Sequence, residues 1–386
     1  MPSLPDLPGL VMNHILDYCD VRSIFSLRKV SPDLRNHIDD VIPSLHLSGI
    51  KIEVREGFLF LVLSDDIEIK YGSFSRMCYE NDDDEAEPVE RKGCKVECNN
   101  MKHFLEGENF MDVFRNDLEL LLKFQKADPE TLERVVLQWC DDEDWCAIRT
   151  IHQEEIIKSL EEIEKNERNA MMNPLKTIFE EIAAKQGVSL KARTFETRGV
   201  FIEEAKSLLK LFQPGTLKCI KIHDPHLSPV KRTFTRNYIA TIRNPIYIVT
   251  LNGIEDLNQW KQADELDTNG FHITARDLVE SFGHFSRGKV ELSGATGEEI
   301  FNLMQAFLKS PNFKNFELTI PQSIIHMMEE YSRVTELSNV LGPARVTRRG
   351  EQDGRRVFEW TLRNPDFDSA VILVYSPPTN FQFYRL

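Results

Sequence analysis

Residues 7–38 read LPGLVMNHILDYCDVRSIFSLRKVSPDLRNHI, and this stretch sets the fold of the N-terminal part of the chain. Its apolar residues recur at helical spacing, and it contains several helix start signals. Pro8 suits a first helical position, Asp20 is a candidate N-cap, and Ser31 before Pro32 is a second cap. We therefore predict three short helices packed into a small N-terminal unit, residues 1–45.

This unit is too small to bury a sizeable core by itself. Its first helix carries one apolar stripe, formed by Leu7, Leu10, Val11, Ile15 and Tyr18. Leu16, Phe25 and Val30 fall outside the main stripes, so apolar side chains face more than one direction. Surplus apolar surface on a small unit usually contacts a partner. We predict that the unit docks on another protein.

The composition indicates a multidomain protein that works in the cytoplasm or nucleus. A length of 386 residues suggests two or three domains. The net charge is −15, and an acidic chain repels phosphate backbones, so we expect no nucleic-acid partner. The short basic run at 347–356 reads as a loop. We find no signal sequence and no apolar run of about 20 residues, and therefore expect no membrane association.

The seven cysteines favour reduced thiols, because an odd number in a long chain does not suit a disulfide framework. Cys94 and Cys98 lie near His103, but the second ligand pair that a zinc site needs is missing. The alternating pattern around both cysteines is typical of a strand, and two small core thiols are the simpler interpretation. We expect no metal and no cofactor.

Residues 46–187 form a predicted middle region of strands followed by helices. Alternating apolar runs predict a β-meander with strands at Ile50–Val54, Phe58–Leu63 and Ile67–Tyr71. The acidic stretch Tyr79–Gly93 breaks the meander and reads as a solvated loop. Amphipathic periodicity then predicts helices at Asn109–Gln125, His152–Met171 and Leu175–Gly187.

From residue 188 to 386, short apolar runs alternate with helical stretches. The period of about 25–29 residues falls in the range of leucine-rich repeats, about 20–29. The Leu-x-x-Leu-x-Leu signature is unclear, so we predict an irregular leucine-rich-repeat-like α/β array. The predicted elements include a strand at 246–251, helices at 257–266 and 322–332, and closing strands in RVFEWTL and SAVILVYS.

The residues with catalytic potential do not form a recognisable motif. Phosphate-binding, nucleophile-elbow and H-E-x-x-H patterns are missing from the sequence. His284 lies between aromatics and reads as a core histidine, and Trp260 as a core aromatic. Asp141–Asp144 lacks the ligand spacing of a calcium loop. We predict that the chain is not an enzyme.

The opening stretch resembles an F-box over about residues 3–42. The matching positions are Leu7-Pro8, Ile15-Leu16, Tyr18, Asp20, Ile24, Leu27, Val30-Ser31 and Leu34-Arg35. It departs from the common pattern at Leu34, where many F-boxes have Trp, and at Gly9-Leu10, where an acidic residue is usual. The second half is similar to an FTH domain over about residues 190–330, in blocks that include Gln259-Trp260-Lys261 and Phe282-Gly283-His284-Phe285. The chain thus resembles a nematode-expanded family of F-box proteins with a C-terminal FTH domain, the F-box A type.

The resemblance implies a substrate-recognition subunit of a Skp–cullin–F-box ubiquitin ligase. The F-box would bind a Skp-type adaptor and through it a cullin, and the FTH domain would hold an unknown protein target for ubiquitination. The implied adaptor contacts are Leu7, Pro8, Ile15, Leu16, Ile24, Phe25, Leu27 and Val30. Two alternatives stay open: a non-degradative interaction scaffold, such as a translational-repression cofactor, and an enzyme in the C-terminal half.

Overall fold

The computed structural model describes fourteen stretches of the chain. They are residues 7–30, 32–41, 47–64, 67–78, 89–98, 101–127, 131–140, 154–185, 189–223, 253–320, 330–348, 356–363, 369–377 and 379–386. The chain divides into two compact units, residues 1–216 and 217–386. Each unit combines helices with a mixed sheet, so the predicted mixed α/β class is confirmed.

The first unit begins with helices α1 (Gly9–Asp17), α2 (Val21–Val30) and α3 (Pro32–Val41). The predicted cap at Asp20 is confirmed, because its Oδ1 accepts a hydrogen bond from the Ser23 N–H at 2.7 Å. The predicted cap at Ser31 lies outside the described residues. Apolar side chains from all three helices are buried: Met12, Leu16, Val21, Ile24, Leu34 and Ile38.

Within the described residues, the sheet of the first unit contains seven strands. They are β1 (Gly49–Arg55), β2 (Phe58–Leu63), β3 (Ile67–Cys78), β4 (Val89–Cys98), β5 (Met101–Glu106), β6 (Leu132–Trp139) and β7 (Ala192–Arg198). Their spatial order is β7-β6-β1-β2-β3-β4-β5. The pairs β7–β6 and β6–β1 are parallel, and the remaining pairs are antiparallel. The predicted meander is confirmed as β1–β3. The prediction that Tyr79–Gly93 is a loop that breaks the meander is wrong at its end, because β4 begins at Val89 and the meander continues through β4 and β5.

Helices α4 (Phe110–Ala127), α5 (Glu154–Ala184) and α6 (Ile202–Leu209) complete the first unit. The prediction of separate helices at His152–Met171 and Leu175–Gly187 is wrong, because the described helical residues of both stretches belong to α5, which passes through Pro174. A proline inside a helix removes one backbone hydrogen bond. The apolar side chains that flank it, Met172 and Leu175, are buried on both sides of the interruption, so packing offsets this loss.

The second unit alternates strands and helices and then closes with antiparallel strands. In chain order these are β8 (Cys219–His223), α7 (Asn258–Lys261), β9 (Glu265–Ile273), α8 (Ala275–Phe282), β10 (Arg287–Leu292), α9 (Gly297–Lys309), β11 (Asn315–Thr319), α10 (Glu330–Leu341), β12 (Arg345–Arg348), β13 (Arg356–Arg363), β14 (Ala370–Ser376) and β15 (Asn380–Arg385). Strands β8 to β11 pair in parallel. Strand β15 lies antiparallel between β11 and β14, and β13 and β12 follow.

Some predicted elements of the second unit need correction. The helix predicted at 257–266 is wrong beyond Lys261, because the chain turns there and enters β9 at Glu265. Leu266 is buried in β9, so its apolar side chain serves the sheet and not a helix. The two predicted closing strands are confirmed as β13 and β14. Residues 246–251, 322–329 and most of 347–356 lie outside the described residues, and the leucine-rich-repeat-like arrangement stays a prediction.

Candidate interaction face of the N-terminal helices

Helix α1 exposes a group of large apolar side chains. Leu10 is 83% exposed, Tyr18 80% and Val11 44%. Val11 and Tyr18, the C-cap of α1, are seven residues apart, which is about two helical turns, and Leu10 lies about 100° around the helix axis from Val11. The three therefore cover neighbouring parts of the exposed surface of α1. We call Leu10, Val11 and Tyr18 the α1 face. Apolar surface of this kind on a small unit marks a contact site.

The packing of Met12 and Leu16 determines which side of α1 faces outward. Met12 and Leu16 lie four residues apart on the opposite side and are buried, so burying them turns the α1 face away from the core. Pro8 is the N-cap of α1, and its carbonyl accepts hydrogen bonds from the N–H groups of Val11 and Met12 at 2.9 and 3.1 Å. A proline at this position loses no helical hydrogen bond.

Polar contacts hold the three helices together. His37 Nε2 lies 2.9 Å from Asn13 Oδ1 and connects α3 to α1. Arg28 donates two hydrogen bonds to the Asp39 carboxylate, at 2.7 and 3.0 Å, and connects α2 to α3. Paired contacts between a planar guanidinium and a carboxylate restrict orientation as well as distance. These contacts therefore fix the orientation of α1, and with it the α1 face, relative to α2 and α3.

The structure places the predicted contact residues in different environments. Pro8 is exposed, and Leu7, Ile15 and Leu27 are half-buried. Leu16 and Ile24 are fully buried and pack inside the unit. Phe25 and Val30 lie in α2, but their side chains are outside the described residues.

The predicted contact set omits the α1 face. The signal was present in the sequence, because Leu10, Val11 and Tyr18 all belong to the apolar stripe of the first helix. A stripe shows which residues share a side but not whether a neighbouring helix covers that side. The exposed fractions supply that missing information.

Cys94 and Cys98, the two cysteines near His103, lie on strand β4. Cys94 is fully buried, and its desolvation raises the pKa of the thiol to about 11. Cys98 is half-buried at the end of the same strand. Within the described stretches, His, Cys, Asp and Glu side chains form no group of three or more that would hold a metal ion. Asp141–Asp144 lies outside those stretches.

Trp260 lies in the core of the second unit, and His284 is half-buried beside it. The Trp260 ring is fully buried and meets the rings of Phe282 and Phe285 edge-on, with centroids 5.5 and 5.3 Å apart. His284 Nε2 lies 2.9 Å from the Trp260 carbonyl oxygen, and burial lowers the pKa of His284. Both residues therefore have packing roles, as the sequence predicts.

Family models match two parts of the chain. Residues 4–45, which contain α1 to α3, match the F-box domain, and residues 175–334, from within α5 to within α10, match the FTH domain. Helices α1 to α3, which carry the α1 face, therefore form an F-box domain. More narrowly, the chain is an F-box protein with a C-terminal FTH domain. No curated protein and no solved structure matches the chain.

The F-box match defines the general role. F-box domains generally bind Skp-type adaptors and, through them, cullins, and F-box proteins are typically non-catalytic adaptor subunits of such ligases. Among the described residues, no helix has both the length and the apolar character needed to cross a bilayer.

Proposed function

We propose that this chain is a substrate receptor of a Skp–cullin–F-box ubiquitin ligase, and that its α1 face is the contact for the Skp-type adaptor. The observation that carries the proposal is the exposed group of Leu10, Val11 and Tyr18 inside the F-box match. In this proposal residues 1–45 dock on the adaptor, and residues 188–386 hold a protein target in the cytoplasm or nucleus.

Burial of the α1 face would contribute favourably to a contact. Fully burying one large apolar side chain contributes about 1.5–3 kcal/mol. Leu10 and Tyr18 keep four fifths of their surface exposed, so most of this free energy is still available for binding. Aromatic side chains that become buried at a contact are common binding hot spots, and Tyr18 occupies that place here.

A pull-down with a Skp-type adaptor and its cullin tests the adaptor contact. The Leu10→Asp, Tyr18→Ala double variant changes only exposed side chains, so we expect it to fold normally and to lose adaptor binding. Ile24 is unsuitable for this test, because it is fully buried and its truncation would disturb folding. Val279→Asp is the matched control: Val279 is 39% exposed on α8, in the other unit, and its replacement should leave binding intact.

The outcome separates the ligase role from its alternatives. Binding by the wild type and the control, with loss in the double variant, supports the α1 face as the adaptor contact. Equal binding by all three chains would place the adaptor elsewhere. If the wild type does not bind the adaptor, the receptor proposal fails and a non-degradative scaffold becomes the better description. A partner whose cellular level does not rise on proteasome inhibition would indicate the same.

A further inference from the structure

Strand β5 lies at an edge of the sheet in the first unit and exposes both of its faces. Among the described strands of that sheet it is the outermost, and it pairs with β4 alone. All six of its residues are exposed. They include Met101 and Phe104, each 54% exposed, and Leu105, 38% exposed. Apolar side chains on an open strand edge invite pairing with another strand.

The register of β5 shows which of its peptide groups point outward. The Gly107 N–H donates to the Lys92 carbonyl oxygen at 2.9 Å, so residues 107 and 92 form a hydrogen-bonded pair. In an antiparallel ladder such pairs alternate along the strand. Residues 105, 103 and 101 therefore bond to β4. The peptide groups of Lys102, Phe104 and Glu106 point away from β4.

We propose that β5 pairs antiparallel with β5 of a second copy of this chain, on a twofold axis at Phe104. In this register the outward peptide groups of both strands meet. Lys102 stands opposite Glu106 of the partner subunit, and Glu106 stands opposite Lys102 of the partner subunit. Phe104 stands opposite Phe104 of the partner subunit. The contact is isologous and closes at two copies.

The two charges select this register over the others. Lys102 and Glu106 expose 58% and 65% of their side chains, so both are accessible. A parallel pairing in register would set Lys102 against Lys102 and Glu106 against Glu106. An antiparallel pairing centred on Lys102 or on Glu106 would also bring like charges together. Only the centre at Phe104 gives two opposite-charge pairs, and such cross-strand pairs stabilise a sheet.

The aromatic side chains add a second element of complementarity. On each copy the Phe104 ring already packs against Phe74 of β3, with ring centroids 4.7 Å apart. Opposed residues of a hydrogen-bonded antiparallel pair have Cα atoms about 5.5 Å apart. The two Phe104 rings would therefore touch, and four phenylalanine rings would form one continuous row across the axis.

The test measures the association of the intact chain by sedimentation velocity as concentration rises. We expect a species with twice the 44.7 kDa mass of one chain. Lys102→Glu and Glu106→Lys each set like charges against one another at both contacts, and each should weaken self-association about tenfold. Mixing the two variants restores opposite charges at both contacts, so the mixture should dimerise again.

The mixture separates pairing from local damage to the sheet. Within one chain Lys102 also lies 3.7 Å from Glu97, and Glu106 lies 3.4 Å from Arg91. A variant that failed by losing these internal ion pairs would not recover on mixing. Lys261→Glu is the control for net charge: it makes the same charge change as Lys102→Glu at an exposed side chain of the second unit and should leave association unchanged.

The proposal is overturned if the wild type stays monomeric up to about 100 μM, where even weak complexes form. It is also overturned if both single variants associate like the wild type, or if their mixture does not. A monomer that instead captures an acidic extended peptide would assign the edge to a different occupant. None of these results bears on the adaptor contact, because β5 lies outside residues 4–45.

Discussion

Gly288 on β10 offers a sharp test of how tightly the second unit is packed. It stands opposite Phe316 of β11, and a Cβ atom added to Gly288 would overlap that ring, with Cδ1 only 2.5 Å away. Phe316 is 1% exposed and lies against Phe307 and Phe313, with centroids 5.0 and 6.2 Å away. The ring has no room to move aside, so Gly288→Ala forces the surrounding core to shift.

The size of the effect follows from two opposing terms. Overfilling a packed core costs about 1–3 kcal/mol. Replacing glycine by alanine also restricts the unfolded chain, and this stabilises the folded state by about 0.4–1 kcal/mol. We expect Gly288→Ala to lower the free energy of unfolding by about 1–2 kcal/mol.

Gly72 on β3 is the matched comparison. An added Cβ would lie 2.6 Å from Phe58 Cδ1, so the same kind of ring is in the way. Phe58 is 37% exposed, however, and its ring can swing toward solvent. The loss is then limited to the contact between Phe58 and the Lys70 ammonium, 3.9 Å from the ring centroid, about 0.5–1 kcal/mol. The restricted unfolded chain offsets that amount, so Gly72→Ala should change the stability little.

Urea unfolding followed by circular dichroism measures both variants, and amide hydrogen exchange reports β10 and β3 separately. The Gly288→Ala, Phe316→Leu double variant should be less destabilised than the sum of its single changes, because a smaller residue makes room for the added methyl. Equal losses at the two glycines would refute the reasoning, since they would show that ring mobility does not decide the cost. A Gly288→Ala chain as stable as the wild type would refute the overlap itself.

Three further predictions concern a helix cap, an ion pair and a thiol. Thr296→Ala removes the capping box with Glu299 at the start of α9, and urea unfolding should show a loss of about 1 kcal/mol. Burial raises the pKa of Glu196, but contacts with two arginines outweigh it and lower the pKa below its usual value. These ion pairs stabilise the fold above about pH 4.3, and this stabilisation is lost as the pH falls through the lowered pKa. Glu196→Gln should therefore flatten the pH dependence of stability between about pH 6 and 3. Cys94, buried and with a thiol pKa of about 11, should resist iodoacetamide at about pH 8 in the folded chain and react once urea unfolds it, as peptide mass spectrometry would show.

Local sequence patterns predict an element correctly where its buried and exposed residues alternate with the period of that element. In β10 the buried Val290 and Leu292 alternate with exposed or half-buried residues, and α9 combines an apolar period with acidic residues in its first turn. Both elements are predictable from the sequence alone. Strand β5 was not predicted, because it has no buried side and hence no contrast between its two faces.

Non-local arrangement explains the remaining differences. Phe381 and Phe383 of β15 alternate as a strand should, but no local pattern tells that this strand lies between β11 and β14. The exposure of the predicted N-terminal contact residues also depends on non-local packing. Leu16 and Ile24 belong to helices that also carry polar residues, and only the packing of α1 to α3 shows that both face inward while Leu10 faces out.

The position of β15 also delays completion of the sheet in the second unit during synthesis of the chain. Asn315 on β11 pairs with Tyr384, about 70 residues further along the chain, and this pairing cannot form until those residues have been made. At about 5–20 residues per second, a ribosome needs roughly 3–14 s to add them. During that interval β11 presents a bare edge with two apolar side chains, Phe316 and Leu318, that are fully or almost fully buried once the sheet is complete. The second unit therefore passes through a period of exposure on every round of translation, and its yield in the cell should depend on chaperones that cover such an edge.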